Sequence, residues 1–376
     1  MKTSSLVSAV LLAAGLLTAG LPGAYAASYT ALYVGATTGT YGDSTGGDYG
    51  TYGINGSAQV VGQDESAGHA FFWSSGTGMT DLGTLPGGTY SNAYGINDSG
   101  QVIGESNGYI NGNYYGSHAF LWSSGSGMTD LGTLPGGAVP NSTARAINKN
   151  GQVVGFSDTA TGVDAFLWSS GGGMTDLGTL GGNVSGAYGI NNKGQVVGDS
   201  INANGDSHAF LWSSGTGMID LGGLGGNSNA TGINDNGQVV GSSYTQSGAG
   251  GYLHAFLWSS GTGMIDLGTL GGNGGEAYGI NNKGQVVGDS INANGDSHAF
   301  LWSSGSGMTD LNSLVTLGGG NYLVGAYGIN DSGQIIALDE YSNAYLLTPV
   351  PEPASSALLV AGLGLVGVAV RRRRSR

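Results

Sequence analysis

Short apolar runs alternate with glycine-rich polar stretches along most of the chain. One run is typified by residues 195–198 (QVVG), and a second, typified by residues 208–212 (HAFLW), follows it closely. Between residues 27 and 348 no stretch repeats apolar residues at the period of an amphipathic helix. The pattern therefore predicts an all-β fold made of short strands joined by tight turns.

The apolar runs belong to a unit that recurs along the chain. Six tryptophans close successive runs and are spaced by 49, 46, 44, 46 and 44 residues: Trp73, Trp122, Trp168, Trp212, Trp258 and Trp302. Residues 187–215 and 277–305 are identical in sequence. Such regular recurrence indicates a repeat architecture, in which neighbouring units bury their apolar faces against one another.

Each unit is predicted to contain four strands, called A to D. Strand A has the pattern Met-x-Asp-Leu, strand B Ala-Tyr-Gly-Ile-Asn, strand C Gln-Val-Val-Gly and strand D Ala-Phe-Leu-Trp. The stretch Asn-x-x-Gly between B and C is typical of a hairpin turn in which glycine takes the left-handed conformation. The stretch Ser-Ser-Gly-x-Gly after strand D predicts another turn.

Four antiparallel strands in about 45 residues have the size of one β-propeller blade. The B–C pattern occurs seven times, at Ile54, Ile96, Ile147, Ile190, Ile233, Ile280 and Ile329. The first unit has a degraded strand A around residues 29–34, and the last has a degraded strand D, as expected of terminal repeats. Residues 27–348 are therefore predicted to form a seven-bladed β-propeller of four-stranded blades, with an open β-solenoid or array as the alternative.

Composition and charge limit how residues 27–349 can be stabilised and which molecules they can bind. The chain contains no cysteine, so packing rather than disulfides must hold the fold. Residues 27–349 carry four basic and 23 acidic residues, a formal charge of 4 − 23 = −19. Because so acidic a body repels phosphate groups, nucleic acid and anionic lipid are excluded as its partners.

Residues 1–26 have the organisation of a secretory signal peptide. Lys2 supplies a positive start, residues 6–17 are apolar, and Ala24 and Ala26 are small residues at the two positions that signal peptidase reads. A membrane anchor is the alternative, but the apolar core is too short to span well. We expect export, with cleavage after Ala26.

Residues 349–376 have three parts in a fixed order. A polar proline-rich motif comes first: Val350, Pro351, Glu352 and Pro353. The apolar residues 356–370 follow, and four arginines end them: Arg371, Arg372, Arg373 and Arg374. A helix over the apolar residues measures about 22 Å, and snorkelling side chains cover part of the gap to a hydrocarbon core of about 30 Å. The pattern predicts a transmembrane helix whose arginines stop in the cytoplasm.

This tail resembles the PEP-CTERM sorting signal of Gram-negative bacteria that make exopolysaccharide. The resemblance implies that an exosortase, a membrane-embedded enzyme similar to cysteine proteases, processes the tail near Pro351–Pro353. The protein is then anchored in the inner membrane before processing, and afterwards belongs to the cell surface or extracellular matrix. An ordinary tail anchor would explain the helix and the arginines but not the Pro-Glu-Pro motif.

The repeats resemble the HAF extracellular repeat, named for its His-Ala-Phe core. The core begins at five histidines: His69, His118, His208, His254 and His298. The third copy has Asp164 in place of histidine, and the last decays to residues 343–347 (NAYLL). The resemblance covers about residues 28–348 and implies a surface protein, with no chemistry that can be transferred.

No catalytic or metal-binding constellation stands out in the repeats. One histidine per blade places these side chains on a ring, too far apart to share a metal ion, so each is expected to cap strand D by bonding a neighbouring turn. The aspartates of strand A are expected to accept backbone N–H bonds at their turn. Asp199, Asn202, Asn204 and Asp206 resemble a loose calcium loop, but the bidentate glutamate is missing, and a polar hairpin is favoured over a cofactor site.

Loop length varies on one side of the predicted blades only. From the glycine of strand C to the start of strand D, the first six units span 7, 14, 9, 10, 13 and 10 positions, whereas the B–C turn is nearly constant. The two longest loops carry five tyrosines, which predict a ligand rim: Tyr109, Tyr114, Tyr115, Tyr244 and Tyr252. The sequence thus predicts a non-enzymatic surface or matrix protein that binds exopolysaccharide or a protein partner. A propeller enzyme acting on polysaccharide and a passive matrix component are the alternatives.

Overall fold

A computed structural model describes residues 28–36, 53–64, 66–110, 113–137, 140–247 and 250–350. These residues form 27 β-strands and two 3₁₀ helices of three residues each, η1 (Leu311–Ser313) and η2 (Gly318–Gly320). The all-β prediction is therefore confirmed. The predicted signal peptide, with Ala24 and Ala26, and the tail from Pro351 onward lie outside the described residues.

The strands form seven groups, here called blades 1 to 7, of which blades 3 and 4 are joined into one sheet by a single parallel pairing of Val163 with Val184. Blade 1 contains β2 (Val60–Asp64), β3 (His69–Ser74) and β4 (Gly78–Asp81). Blades 2 and 3 contain β5 (Ser91–Ile96), β6 (Val102–Ile110), β7 (Asn113–Ser123) and β8 (Gly127–Asp130), then β9 (Ser142–Ile147), β10 (Val153–Asp158), β11 (Val163–Ser169) and β12 (Gly173–Asp176). Blades 4 and 5 contain β13 (Gly181–Ile190), β14 (Val196–Asn202), β15 (Ser207–Ser213) and β16 (Gly217–Gly222), then β17 (Ser228–Ile233), β18 (Val239–Tyr244), β19 (Leu253–Ser259) and β20 (Gly263–Asp266). Blades 6 and 7 contain β21 (Gly271–Ile280), β22 (Val286–Asn292), β23 (Ser297–Ser303) and β24 (Gly307–Asp310), then β25 (Leu323–Ile329), β26 (Ile335–Asp339), β27 (Asn343–Pro349) and β1 (Tyr29–Ala36).

The order of strands within a blade differs from the order expected from the repeat. Strand B is innermost, C and D follow, and the strand A that comes next in sequence pairs with D as the outer strand, as in β17-β18-β19-β20. Blades 2 to 6 are therefore B-C-D-A, because a tight turn at Ser-Ser-Gly-x-Gly folds A back onto D, and the described strands of blade 1 follow the same order as C-D-A. Residues 29–34, expected to open the first unit, belong to β1, the outer strand of blade 7.

The apolar core lies between the blades. The phenylalanine of strand D is fully buried in six blades: Phe71, Phe120, Phe166, Phe210, Phe256 and Phe300. One cluster joins Phe71 and Val60 of blade 1 to Ile336 and Leu346 of blade 7. The first and last blades thus share a core like any other neighbouring pair, and residues 31–348 form one compact unit.

A ring of asparagines closes the circle at the B–C turns. Each side-chain Nδ2 donates to the backbone carbonyl of the equivalent asparagine in the next blade, at 3.0 or 3.1 Å. The members are Asn55, Asn97, Asn148, Asn191, Asn234, Asn281 and Asn330. The bond from Asn330 Nδ2 to Asn55 O spans 275 positions. The seven-bladed propeller is therefore confirmed, and the open array is wrong for this unit.

The B–C turns use glycine as expected, with one exception. The turn glycine has a positive φ in six blades, as at Gly194 (φ 76°). Blade 1 has Ala58 at the equivalent place, with φ 59°. An L-residue with a side chain is strained in this left-handed conformation.

The few described residues outside the propeller unit are 28–30 and 349–350. In this second unit, the backbone N–H of Val350 donates to the carbonyl of Ser28 at 3.0 Å.

Candidate functional site

The propeller has two different faces, named here by the connections they carry. The turn face carries the B–C and D–A turns. The loop face carries the variable C–D loops and the A–B connections between blades. Because the strands of a blade alternate in direction, these two sets of connections must lie on opposite faces. A binding site is most readily built on the loop face, where lengths differ between blades.

The centre of the turn face is a shallow cavity of about 290 Å³ lined by the isoleucine and asparagine of every blade. A second set of bonds lies above the asparagine ring: the Asn192 N–H donates to Asp235 Oδ1 at 2.9 Å, and the Asn282 N–H to Asp331 Oδ1 at 2.8 Å. Burial opposes ionisation of Asp235, but bonds from the Asn192 side chain and backbone outweigh it and lower the Asp235 pKa. The polar groups around this cavity thus bond to one another, which indicates a structural role in closing the ring.

A second cavity, of about 210 Å³, lies in the central channel. The register of strands B and C shifts by one residue in blades 2 to 7, leaving a bulged residue on the inner strand. All six bulged residues line this cavity: Tyr94, Arg145, Tyr188, Thr231, Tyr278 and Tyr327. A bulge re-aims the side chain it carries, which explains how an inner strand presents these groups to the channel.

Arg145 breaks the pattern of the channel. Its guanidinium lies over the Tyr94 ring, 4.4 Å from the centroid, and 5.3 Å from the centroid of Phe156. Sequence reasoning missed this residue. The available signal was that arginine stands where other units have tyrosine or threonine.

Tyrosines of the channel are paired with carboxylates on strand C. Tyr94 Oη donates to Glu105 at 2.8 Å, and Tyr278 Oη donates to Asp289 at 2.6 Å. Burial raises the pKa of Asp289, despite the bonds from Tyr278 and Ser297. Burial, followed by the nearby Asp289 and Glu276 carboxylates, raises the pKa of Tyr278. The channel wall is thus a polar layer whose hydrogen-bonding groups are largely engaged with each other.

The loop face carries a cleft of about 590 Å³ between blades 4 and 5, here called the inter-blade cleft. Asp206 and His208 of blade 4 form one wall, and the A–B connection and C–D loop of blade 5 form the other. Blade 5 contributes Gly223, Gly225, Gly226, Asn227, Tyr244, Gln246 and Ser247. The cleft has the size of small-ligand sites and combines an aromatic ring with several polar groups.

The structure describes the side chains of two of the five predicted rim tyrosines. Tyr244 and Tyr252 are 43% and 54% exposed, and only Tyr244 lines the inter-blade cleft. The backbones of Tyr109 and Tyr114 pair across the β6–β7 hairpin. The side chains of Tyr109, Tyr114 and Tyr115 lie outside the described part of the structure.

The repeated histidines and aspartates connect strand D to the outer strand in five blades. Nδ1 of each histidine lies 2.7 to 3.1 Å from a carboxylate oxygen of the strand A aspartate in the same blade. The pairs are His69–Asp81, His118–Asp130, His208–Asp220, His254–Asp266 and His298–Asp310. Each of these aspartates also accepts a backbone N–H at its turn, as Asp220 does from Gly222 at 2.7 Å, so that prediction is confirmed. The histidine's partner is the outer-strand carboxylate rather than a turn.

Blade 3 lacks the histidine and brings two acids together instead. Burial, then the Asp176 charge, raises the pKa of Asp164, although a bond from Thr159 works in the other direction. This is a local weakness of the repeat, because both groups are ionised at neutral pH in an unfolded chain.

The loop compared with a calcium site is a polar hairpin. Asn202 Oδ1 accepts the backbone N–H groups of Asn204 and Asp206, at 2.8 and 3.1 Å, so positive donors surround the oxygen that a cation would need. Asp199 points elsewhere and accepts from Ser207 Oγ at 2.8 Å. Among the described residues, no group of three His, Cys, Asp or Glu side chains is placed to hold a metal ion.

Solved structures support the fold. Streptogramin B lyase aligns over 86% of this chain and 99% of its own, with 11% identity and a TM-score of 0.52. Virginiamycin B lyase from Staphylococcus aureus aligns over 86% and 99%, with 11% identity and a TM-score of 0.51. TolB from Acinetobacter baumannii aligns over 62% of this chain and 60% of its own, less than two thirds of its length, with 12% identity and a TM-score of 0.41. At such identities the likeness to the two lyases shows the propeller fold alone.

Sequence comparison identifies the tail. No protein of curated function matches the chain. Residues 349–374 match the PEP-CTERM protein-sorting motif. The motif indicates an exported protein that an exosortase sorts and that is anchored in the membrane before processing.

The PEP-CTERM match covers the predicted sorting motif and the arginines that follow the apolar segment. Of these residues only Val350 is described by the structure. In the described ranges no helix has the length and apolar character needed to cross a membrane. The predicted transmembrane segment, residues 356–370, falls outside those ranges.

Proposed function

We propose that the protein is a non-enzymatic binding module of the cell surface or extracellular matrix, which holds an exopolysaccharide through the loop face of its propeller. The PEP-CTERM tail supports the location, since it marks an exported protein that an exosortase handles. The HAF-like repeats agree with an extracellular role.

The contrast between the two faces carries the proposal. On the turn face, asparagine and aspartate side chains are engaged with the next blade around the ring. On the loop face, exposed tyrosines accompany an open cleft. A surface with unengaged aromatic and polar groups is suited to ligands, whereas a surface that satisfies itself is suited to structure.

Repetition argues against an enzyme of the same architecture. The His–Asp pairs occur in five blades with the same geometry, and each sits on its own blade. Catalytic groups are expected to converge on one place rather than to be distributed equally around a ring.

Binding to the exopolysaccharide of the producing cells tests the proposal. The full chain, purified in detergent, should be retarded in affinity electrophoresis through gels that contain that polysaccharide. Changing both Tyr244 and Tyr252 to Ala should reduce the retardation. Release of reducing ends during incubation would favour the polysaccharide-cleaving alternative, and retardation only by a surface protein would favour a protein partner. No interaction with either would leave the passive matrix role.

Processing is tested separately, by mass spectrometry of the C-terminus of the protein from native cells. We expect an end near Pro351–Pro353. A mature protein that retains Arg374 would contradict exosortase cleavage at this motif.

A further inference from the structure

The inter-blade cleft has one wall of side chains and one wall made largely of glycine backbone. Asp206 and His208 extend from blade 4, while the glycines of residues 223–226 present peptide groups from blade 5. The glycine part of this wall has no side chains, so a bulky ring can approach the backbone closely there. The cleft is therefore shaped for a compact ligand that forms several hydrogen bonds.

His208 is held in a defined orientation. Its Nδ1 lies 2.9 Å from Asp220, and Asp220 is itself fixed by the N–H of Gly222 at 2.7 Å. Because Nδ1 faces the carboxylate, Nε2 is the ring nitrogen left for a ligand. Preorganised polar groups of this kind favour binding because little side-chain entropy remains to be lost.

Tyr244 supplies the apolar element. Its backbone is fixed, because its N–H donates to the carbonyl of Asn227 at 2.9 Å, while its side chain is 43% exposed. An exposed aromatic ring beside amide and carboxylate groups matches a pyranose, which has an apolar C–H face and a rim of hydroxyls.

The charge of the cleft restricts the sugar. Asp206 is exposed, and no lysine or arginine is among the described lining residues. An anionic sugar, such as a uronate, would meet a carboxylate without a compensating cation. An uncharged hexose instead donates its hydroxyls to Asp206 and to His208 Nε2.

The duplicated segment provides an internal comparison. Residues 187–215 of blade 4 and 277–305 of blade 6 are identical, so His298 is the copy of His208. In blade 6, however, His298 Nε2 lies 3.3 Å from Asn292 Nδ2, and the ring packs on Tyr322 with centroids 5.3 Å apart. The connection to blade 7 thus places an aromatic ring against the copy, whereas glycines of blade 5 lie beside the original, although the two histidine side chains are similarly exposed, at 23% for His208 and 19% for His298.

We propose that the inter-blade cleft binds an uncharged hexose residue of an extracellular polysaccharide, with Tyr244 packing on the sugar ring and Asp206 and His208 accepting its hydroxyls. The inference rests on the proposed binding function and adds the position and the class of the sugar.

The test compares two histidine variants in the full chain. His208→Ala and His298→Ala remove the same side chain from the same local sequence, and each leaves an aspartate without its partner. Affinity electrophoresis is run with dextran, mannan, alginate and chitosan oligosaccharides, together with a thermal melt of each variant. We expect binding to dextran or mannan that weakens about tenfold or more in His208→Ala and in Tyr244→Ala, and stays unchanged in His298→Ala.

Several outcomes would overturn the inference, and they are distinguishable from failure of the proposed function. Neutral-polysaccharide binding that is equally affected in both histidine variants would mean that the cleft is not the site, while the binding function stands. Binding to alginate or to chitosan alone would show that the ligand is charged. An absence of binding to all four probes and to the native exopolysaccharide would remove the proposed function as well.

Discussion

Asn191 is a member of the asparagine ring that is only 3% exposed. Its Nδ2 donates to Gln195 Oε1 at 2.8 Å and to Asn234 O at 3.1 Å. Its Oδ1 accepts the backbone N–H groups of Lys193 at 3.1 Å and of Gln195 at 3.0 Å. Asn191→Ala therefore removes four hydrogen bonds. At a net contribution of about 1 kcal/mol each, the free energy of unfolding should fall by roughly 4 kcal/mol.

Urea unfolding followed by tryptophan fluorescence measures this loss, because tryptophans lie beside the core between blades. Asn204→Ala is the control: Asn204 is exposed, and its backbone N–H rather than its side chain bonds Asn202, so a change within about 0.5 kcal/mol is expected.

Asn330→Ala tests ring closure, because its Nδ2 bonds Asn55 across the junction of the last and first blades. In a closed ring, its cost should match that of Asn191→Ala. Asn330 also makes three bonds within its own turn, as Asn191 does, so a loss at Asn330 that is smaller than at Asn191 by the value of one bond, about 1 kcal/mol, would refute the closed ring.

Three further predictions concern single positions. Ala58→Gly should stabilise the protein by about 0.5 to 1 kcal/mol in the same urea assay, because relief of left-handed strain exceeds the added chain entropy; a loss of stability would contradict the strain. Asp164→Asn should raise the melting temperature at pH 7 but hardly change it at pH 3. The pKa of Asp164 is raised in the folded protein, so the stability that is present below its unfolded pKa is lost as the pH rises. An equal effect at both pH values would exclude repulsion by Asp176. Gly241→Ala should cost about 1 to 3 kcal/mol, since its new Cβ would collide with the Asn229 carbonyl, and a silent substitution would show that the bulge can relax.

The repeat pattern was sufficient to predict the fold class because every unit has the same short apolar runs, separated by the same glycine-containing turns. The turn glycine at Gly194 and the buried Phe210 could both be located from their place in the unit. The assignment of strand A was not reachable in this way. A strand between two turns can pair with the strand before it or with the strand after it. The tight turn before Gly217 makes strand A (β16) pair with the preceding strand D (β15).

The site was less accessible than the fold, because it depends on contacts between units. The sequence indicated tyrosines in the two longest C–D loops, and one of them, Tyr244, lines the inter-blade cleft. His208 and His298 have identical sequence surroundings and similar exposure, and they differ in the adjoining connection: Tyr322 packs on His298, whereas glycines lie beside His208. Repeat analysis treats such copies as equivalent, so it cannot find a site that arises where two unlike neighbours meet.

The strand order of blade 7 has a mechanical consequence. β27 (Asn343–Pro349) lies between β26 and β1, and the sorting motif begins at its end. A force applied to the end of this strand and directed along its axis would load the hydrogen bonds on both of its edges together in shear. Strands loaded in this direction must break many bonds at once, whereas an edge strand peeled from one side loses them singly. The last blade thus ends the propeller on a strand that resists axial force better than an edge strand would.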